Sequence, residues 1–292
     1  MKPFLRIFFI IFLLLSNIVK IFAQNNSELN YSYEEIEKKI ENSHNSEVEL
    51  WKWVKLYITK SKKEKNNETL LYAYRIASNY SSFPNNFKYS DSALIVGQKS
   101  KNKKLLSYAY LNRGTLYMDE EKYNKALDDI FLANKYSKDL GDDYTYNKTK
   151  YYIAQNKIYL GLYEDANTEL KSCTQYFKDN LNATNSLGNN YPMYYLYSLM
   201  SYIDTNTKIG KQNLNEDLLK EAYSYIDKNN LQVYKPYFVS SEGTDAFYRK
   251  DYKLAIDKLT KALLSYNDQW PHHTDIYYLG LSFWHSGEKK LP

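Results

Sequence analysis

The residues best placed to do chemistry are few. His272, His273 and Asp275 stand close together, with His285 a helix-length further on. Imidazole and carboxylate in that spacing could ligate a transition metal. A helix-start loop followed by a surface histidine has the same spacing, and no metal is expected there. Asp128-Asp129 and Asp142-Asp143 are paired acids without a partner that would argue for acid–base work. They read as a solvated helix face and a turn. Cys173 is the only cysteine, so an intramolecular disulfide is excluded, and its place among small residues of a helix marks a buried thiol. The motifs GxxxxGK[ST], HExxH, GxSxG and CxxC and the EF-hand loop are all missing from the sequence. No catalytic residue, cofactor or metal is therefore expected, and the chain does not read as an enzyme.

The elements that would position such residues are helices. In GTLYMDEEKYNKALDDIFLA (114–133), Gly114 and Tyr117 share one helix turn, and Asp119–Lys122 form a polar knot. Tyr123, Ala126, Ile130 and Ala133 then recur at helical spacing. The pattern returns with Ala154, Tyr163, Ala166 and Cys173, and again with Gly243, Tyr252, Ala255, Leu259 and Ala262. A further start supplies Gly280 and Phe283. Self-similarity with a period of 37 to 40 residues predicts an all-α helical repeat array. The abundance of Tyr, 33 residues against 9 Gly and 6 Pro, suits a helical body packed through aromatic rings.

Weaker repeats flank the clear ones. Glu68–Tyr80 and Lys88–Lys99 read as a pair broken by Ser81–Asn86; Tyr33–Asn42 and Glu47–Lys60 read as an earlier pair, with Leu50, Val54 and Ile58 on one face. Ala222 fits the packing position of an intervening repeat, and the long step before it requires a polar loop at 178–190 and a long helix from Pro192.

These spacings resemble the tetratricopeptide repeat, through Gly114, Tyr117, Ala126 and Ala133 and again through Gly243, Ala255 and Ala262. The repeat's Trp and its closing Pro are missing and the period exceeds 34 residues. The resemblance implies a right-handed superhelical solenoid of antiparallel helix pairs, whose first helices line a concave groove. It places Tyr108, Leu111, Thr115 and Met118 in that groove, then Tyr151, Gln155 and Ile158. Tyr237, Ser240, Thr244 and Phe247 follow, and then Tyr277, Leu281 and Trp284. An aromatic, weakly charged row of this kind suits a protein or peptide ligand.

The N-terminus has a secretory layout: Lys2 and Arg6, the apolar run Ile7–Leu15, and Ile21-Phe22-Ala23. A signal peptide over 1–23 is expected, with an uncleaved anchor as the alternative, followed by an N-terminal helical pair (24–66) and the repeat array (67–292). Periplasmic or cell-envelope localisation follows, with no membrane span in the mature segment. The chain's net charge of +5 falls to +2 without the leader, which argues against nucleic acid as a partner of this segment. The run Lys60–Lys65 reads as a solvated helix end. The last repeat stops half-built at Pro292, which reads as a truncation or the front of a longer protein, with an exposed end open to self-association. The layout, with YSDSALIVGQKSKNKK ahead of YLNRGTLYMDEEKYNKALDDI, is similar to the sensor half of exported tetratricopeptide regulators, which continue into a membrane span and an AraC- or LuxR-type helix-turn-helix. The alternative is a stand-alone envelope assembly or structural protein.

Overall fold

The computed structural model describes residues 30–43, 45–183, 190–267 and 272–287. The leader expected at 1–23, part of the loop expected at 178–190 and the last five residues lie outside them. Among the described residues there are thirteen α-helices, two short 3₁₀ turns and no strand. Consecutive helices pack against one another, the arrangement of an all-α helical repeat. No described helix is long and apolar enough to cross a membrane. The chain divides into two compact units, Met1–Leu116 and Tyr117–Pro292.

In the first unit the helices are α1 (Tyr33–Glu41), α2 (Glu47–Lys63), α3 (Asn67–Asn79), α4 (Asn85–Ser100) and the greater part of α5 (Lys103–Asp119). α1 starts on a capping box, in which Ser32 accepts from the Glu35 amide at 3.1 Å and Glu35 accepts from the Ser32 amide at 2.6 Å. Ile36, Ile40, Trp53, Val54 and Tyr57 fuse α1 and α2 with Ala73 and Ala77 of α3. Fully burying each large apolar side chain contributes about 1.5–3 kcal/mol. The polar tips are satisfied at the margin, Trp53 Nε1 on Glu49 at 2.8 Å and Tyr57 OH on Glu37 at 2.7 Å.

The second unit contains α6 (Tyr123–Leu140), α7 (Asp143–Tyr159), α8 (Tyr163–Asp179), α9 (Tyr191–Lys208), α10 (Asn215–Lys228), α11 (Lys235–Tyr248), α12 (Tyr252–Ser265) and α13 (His273–Ser286). The turns before α6, α8 and α12, and the one after α9, share one geometry. A residue in the left-handed region, Glu121, Gly161, Lys250 or Gly210, is followed by an amide that reaches back across the helix end. Lys122 donates to the Tyr117 carbonyl at 2.8 Å, Leu162 to Lys157 at 2.8 Å, Lys211 to Asn206 at 2.8 Å and Asp251 to Ala246 at 2.9 Å. This is the Schellman closure, which satisfies carbonyls the helix leaves open.

Small residues then let helices approach. Ala126, Ala154, Ala166, Cys173, Ala222, Ala255 and Ala262 are completely buried. At Gly243 a Cβ would come within 2.8 Å of Leu259 Cγ and 3.1 Å of the Leu259 amide nitrogen, so α11 and α12 pack too closely there for any side chain. Aromatic rings fill the wider gaps: Tyr144, Phe177, Tyr191 and Tyr194 join α7, α8 and α9. Repeat neighbours stack alike, Tyr123 on Tyr159 at 4.9 Å and Tyr252 on His285 at 5.0 Å.

Candidate functional site

Within the second unit, α7, α9, α11 and α13 touch one another in succession, whereas among the described residues α8, α10 and α12 pack less closely on one another, α8 and α10 meeting through the Lys178–Glu221 ion pair at 2.8 Å. The former therefore make an inner layer and the latter an outer one. α9 is central to the inner layer. Of its eighteen residues only Asp204 and Lys208 are charged, and they stand with Tyr197 and Ser201 on one stripe, spaced by three and four residues. Its two ends reach different neighbours.

Toward α7, Ser201 accepts from Gln155 Nε2 at 2.7 Å, and Tyr197 stacks on Tyr151 with ring centres 6.5 Å apart. Tyr151 also meets Tyr194 edge-on at 5.9 Å, and burial, seconded by the neighbouring Tyr152 and Tyr197 phenols, pushes its phenol well above its ordinary range. Ile158 is half-buried beside them. These three expected groove residues thus spend much of their surface joining α7 to α9.

Toward α11 and α13, the Lys208 ammonium donates to Tyr248 OH at 2.7 Å and to Tyr278 OH, and the two phenol oxygens are 3.0 Å apart. It also lies over both rings, at 4.7 and 4.8 Å from their centres. Burial works against the charge on Lys208, but the two phenols outweigh it and hold the ammonium above its ordinary pKa. Burial would likewise raise Tyr248, yet the Lys208 hydrogen bond leads the opposing effects and leaves that phenol below its ordinary value.

Asp204, one turn back on α9, is pushed up from 3.8 to about 6. Burial is the main cause; the Ser241 hydroxyl and Lys208 oppose it, while Asp275 and Asp245 add to it. Asp275 is itself held by Ser240 Oγ and Tyr266 OH, each at 2.6 Å. Behind this surface runs a buried amide spine. Asn167 donates to Asn206 at 2.8 Å, Asn206 to Asn215 at 3.1 Å, and Asn215 to Asp245 at 2.8 Å, with Arg249 on the far carboxylate oxygen at 2.9 Å. The spine links α8, α9, α10 and α11 and sets how α9 presents its stripe, since each buried amide must keep its partner.

The remaining expected residues fall in different settings. Tyr237 packs on Tyr266 at 5.0 Å, Thr244 is buried, and Phe247 lies against Tyr278 at 5.0 Å. Tyr277 and Trp284 are 60% and 81% exposed on α13. Met118 is half-buried at the end of α5. Tyr108, half-buried against the core of α3, α4 and α5, and Leu111, buried, belong to the first unit. Two of the three histidines considered for metal are engaged by aromatic rings, His272 on Tyr266 at 3.3 Å and His285 on Tyr252. Among the described residues no three His, Cys, Asp or Glu side chains converge as a metal-binding set. The Cys173 thiol is buried and pushed up to about 12.

Sequence reasoning missed Asp204, Lys208, Tyr248 and Ser241. The available signal was the isolation of two charges, four positions apart, in an otherwise uncharged aromatic helix. Together these residues offer a ligand one cation, one carboxyl raised to about 6 by burial, and aromatic rings on either side. No family model matches the sequence, and a search of curated proteins gave no match.

Proposed function

We propose that the chain is an exported, tetratricopeptide-type scaffold that binds a protein or peptide segment along the inner layer of its second unit. The observation that carries this reading is the α9 stripe of Tyr197, Asp204 and Lys208, with opposite charges set among aromatic residues. An extended peptide presents alternating polar backbone and side chains, and such a stripe can meet both. The resemblance noted above extends the reading to a periplasmic or envelope location and to the sensory region of a membrane-linked transcriptional regulator. A stand-alone envelope assembly protein is the second reading, favoured by the exposed Ile276, Tyr277 and Trp284 on α13, which suit a protein contact at that end, self-association included.

The test is a displayed-peptide selection on the chain from Gln24 onward, followed by titration of the selected peptides. Lys208→Met and Tyr248→Phe should each weaken binding by about tenfold or more, in the range of a truncated anchor. Lys253→Gln, an exposed change on α12, should leave affinity within about twofold. Peptides that bind both inner-layer variants as tightly as the parent would remove the stripe from the proposal.

A further inference from the structure

The positive charge of the first unit is concentrated on one edge. The runs KSKKEK (60–65) and KSKNKK (99–104) each hold four lysines, at the α2–α3 and α4–α5 turns. The two turns are built alike. Lys65 and Lys101 occupy the left-handed region at φ 54° and 53°, and the next residue, Asn66 or Asn102, caps the following helix through its side-chain oxygen. Because α2, α3 and α4 pack in succession, alternate turns emerge on the same side, and Lys104 Nζ reaches Glu68 Oε1 at 3.4 Å between them.

The acids of the two turns are engaged. Glu64 pairs with Lys60 at 2.8 Å and accepts from Tyr33 OH, and Glu68 holds Lys104. The first turn of α1, brought alongside by the Tyr33–Glu64 contact, adds Glu34 and Glu35, so eight lysines against four glutamates leave the edge at +4, while the rest of residues 30–116 carries seven basic and five acidic side chains. The edge thus holds most of the excess of residues 30–116. Lys62, Lys63, Lys65, Lys99, Lys101 and Lys103 are exposed. The two turns adjoin, as the Lys104–Glu68 pair shows, so a flat anionic surface can meet both at once, and each lysine within a Debye length of it (about 8 Å at physiological salt) contributes separately.

We propose that this edge adsorbs to an anionic lipid surface. Its cations are all lysine, point charges suited to a plane of phosphates, with no arginine fork to read a base edge or grip a single phosphate bidentately. The aromatic rings nearby are covered by the lysines themselves: Lys60 over Tyr33 at 5.3 Å, Lys62 over Tyr74 at 5.8 Å and Lys104 over Tyr108 at 5.9 Å. Among the described residues these three rings therefore do not make the open stacking platform that single-stranded nucleic acid uses. The proposal is independent of the peptide reading, which concerns the second unit.

The experiment is co-sedimentation of the chain from Gln24 onward, which keeps every described residue, with vesicles of equal phosphatidylglycerol and phosphatidylcholine or of phosphatidylcholine alone. Binding should occur only to the anionic vesicles and fall steeply with added salt. Each lysine removed should lower partitioning about fivefold, so Lys63→Gln, Lys65→Gln, Lys99→Gln and Lys101→Gln together should abolish it. Lys65→Gly with Lys101→Gly removes two charges while relieving two left-handed backbones, so it should be at least as stable as the parent yet bind about 25-fold more weakly. Four lysine-to-glutamine changes on the second unit, at Lys122, Lys125, Lys253 and Lys261, should have little effect. Equal loss in that control, or binding to heparin, duplex DNA or an acidic peptide without binding to anionic vesicles, would overturn the proposal.

Discussion

Asp204→Asn tests the inner layer through its own electrostatics. The wild-type carboxyl is displaced from 3.8 to about 6, mainly by burial. At about 1.4 kcal/mol per tenfold change, this separates its neutral and ionised forms by roughly 3 kcal/mol. Residual solvent contact screens part of that, so a penalty of about 1–3 kcal/mol is expected once the group is ionised. The charged and polar groups facing it are Lys208 on its own helix, Ser241 and Asp245 on α11, and Asp275 on α13. Below about pH 4 the carboxyl is protonated in both folded and unfolded chains. Between about pH 4 and 6 the folded protein keeps a proton the unfolded chain has released, so stability falls as pH rises. Above about pH 6 the full penalty applies.

The asparagine variant lacks this dependence. Its stability relative to wild type should therefore increase by about 1–3 kcal/mol between about pH 4 and pH 8. The change with pH matters here and not the absolute offset, because the altered hydrogen bond to Ser241 contributes at every pH. Amide hydrogen exchange across α9 and α11, corrected for intrinsic rates, reads the local opening free energy and avoids assuming that both units unfold together. A wild type that gains stability on the variant as pH rises would mean that attraction to Lys208 exceeds the burial cost, and the account of the site would fail. A difference independent of pH would refute it equally.

Two further outcomes follow from the turns and the packing. Glu121→Gly and Lys250→Gly, at φ 57° and 64°, should each stabilise the second unit by about 0.5–1 kcal/mol in urea melts, because glycine enters that region without steric cost. Ala126→Leu and Ala255→Leu at fully buried positions, and Gly243→Ala against Leu259, should each cost about 1–3 kcal/mol by the same assay, and variants that melt with the parent would mean that these positions can expand.

The helix pairs were legible because their determinants are local. The polar knot Asp119–Lys122 separates α5 from α6, and the fully buried Ala126, Ala166, Ala222 and Ala255 fall where close packing requires small side chains. The role of the aromatic row was less legible, because exposure depends on the neighbouring helix. Tyr151, Gln155 and Ile158 have the spacing of a helix face, but the long α9 lies against that face and takes part of it into the core. Spacing within α7 carries no information about the reach of a helix more than thirty residues later.

Charge shows the same limit in a sharper form. A total of +5, or +2 without the leader, averages a first unit that carries +6 over residues 30–116 with a second that carries −3 over residues 117–292. The runs at 60–65 and 99–104 are separated by the whole of α3 and most of α4, and each alone resembles an ordinary solvated helix end. Stacking hairpins of similar length places alternate turns on one edge, so short lysine runs one repeat apart combine into a single field. In a helical repeat, the charge that a partner meets is therefore summed over alternate turns and not along the chain. Two unremarkable runs become one surface only when the repeat length matches their separation, as the Lys104–Glu68 contact shows it does here.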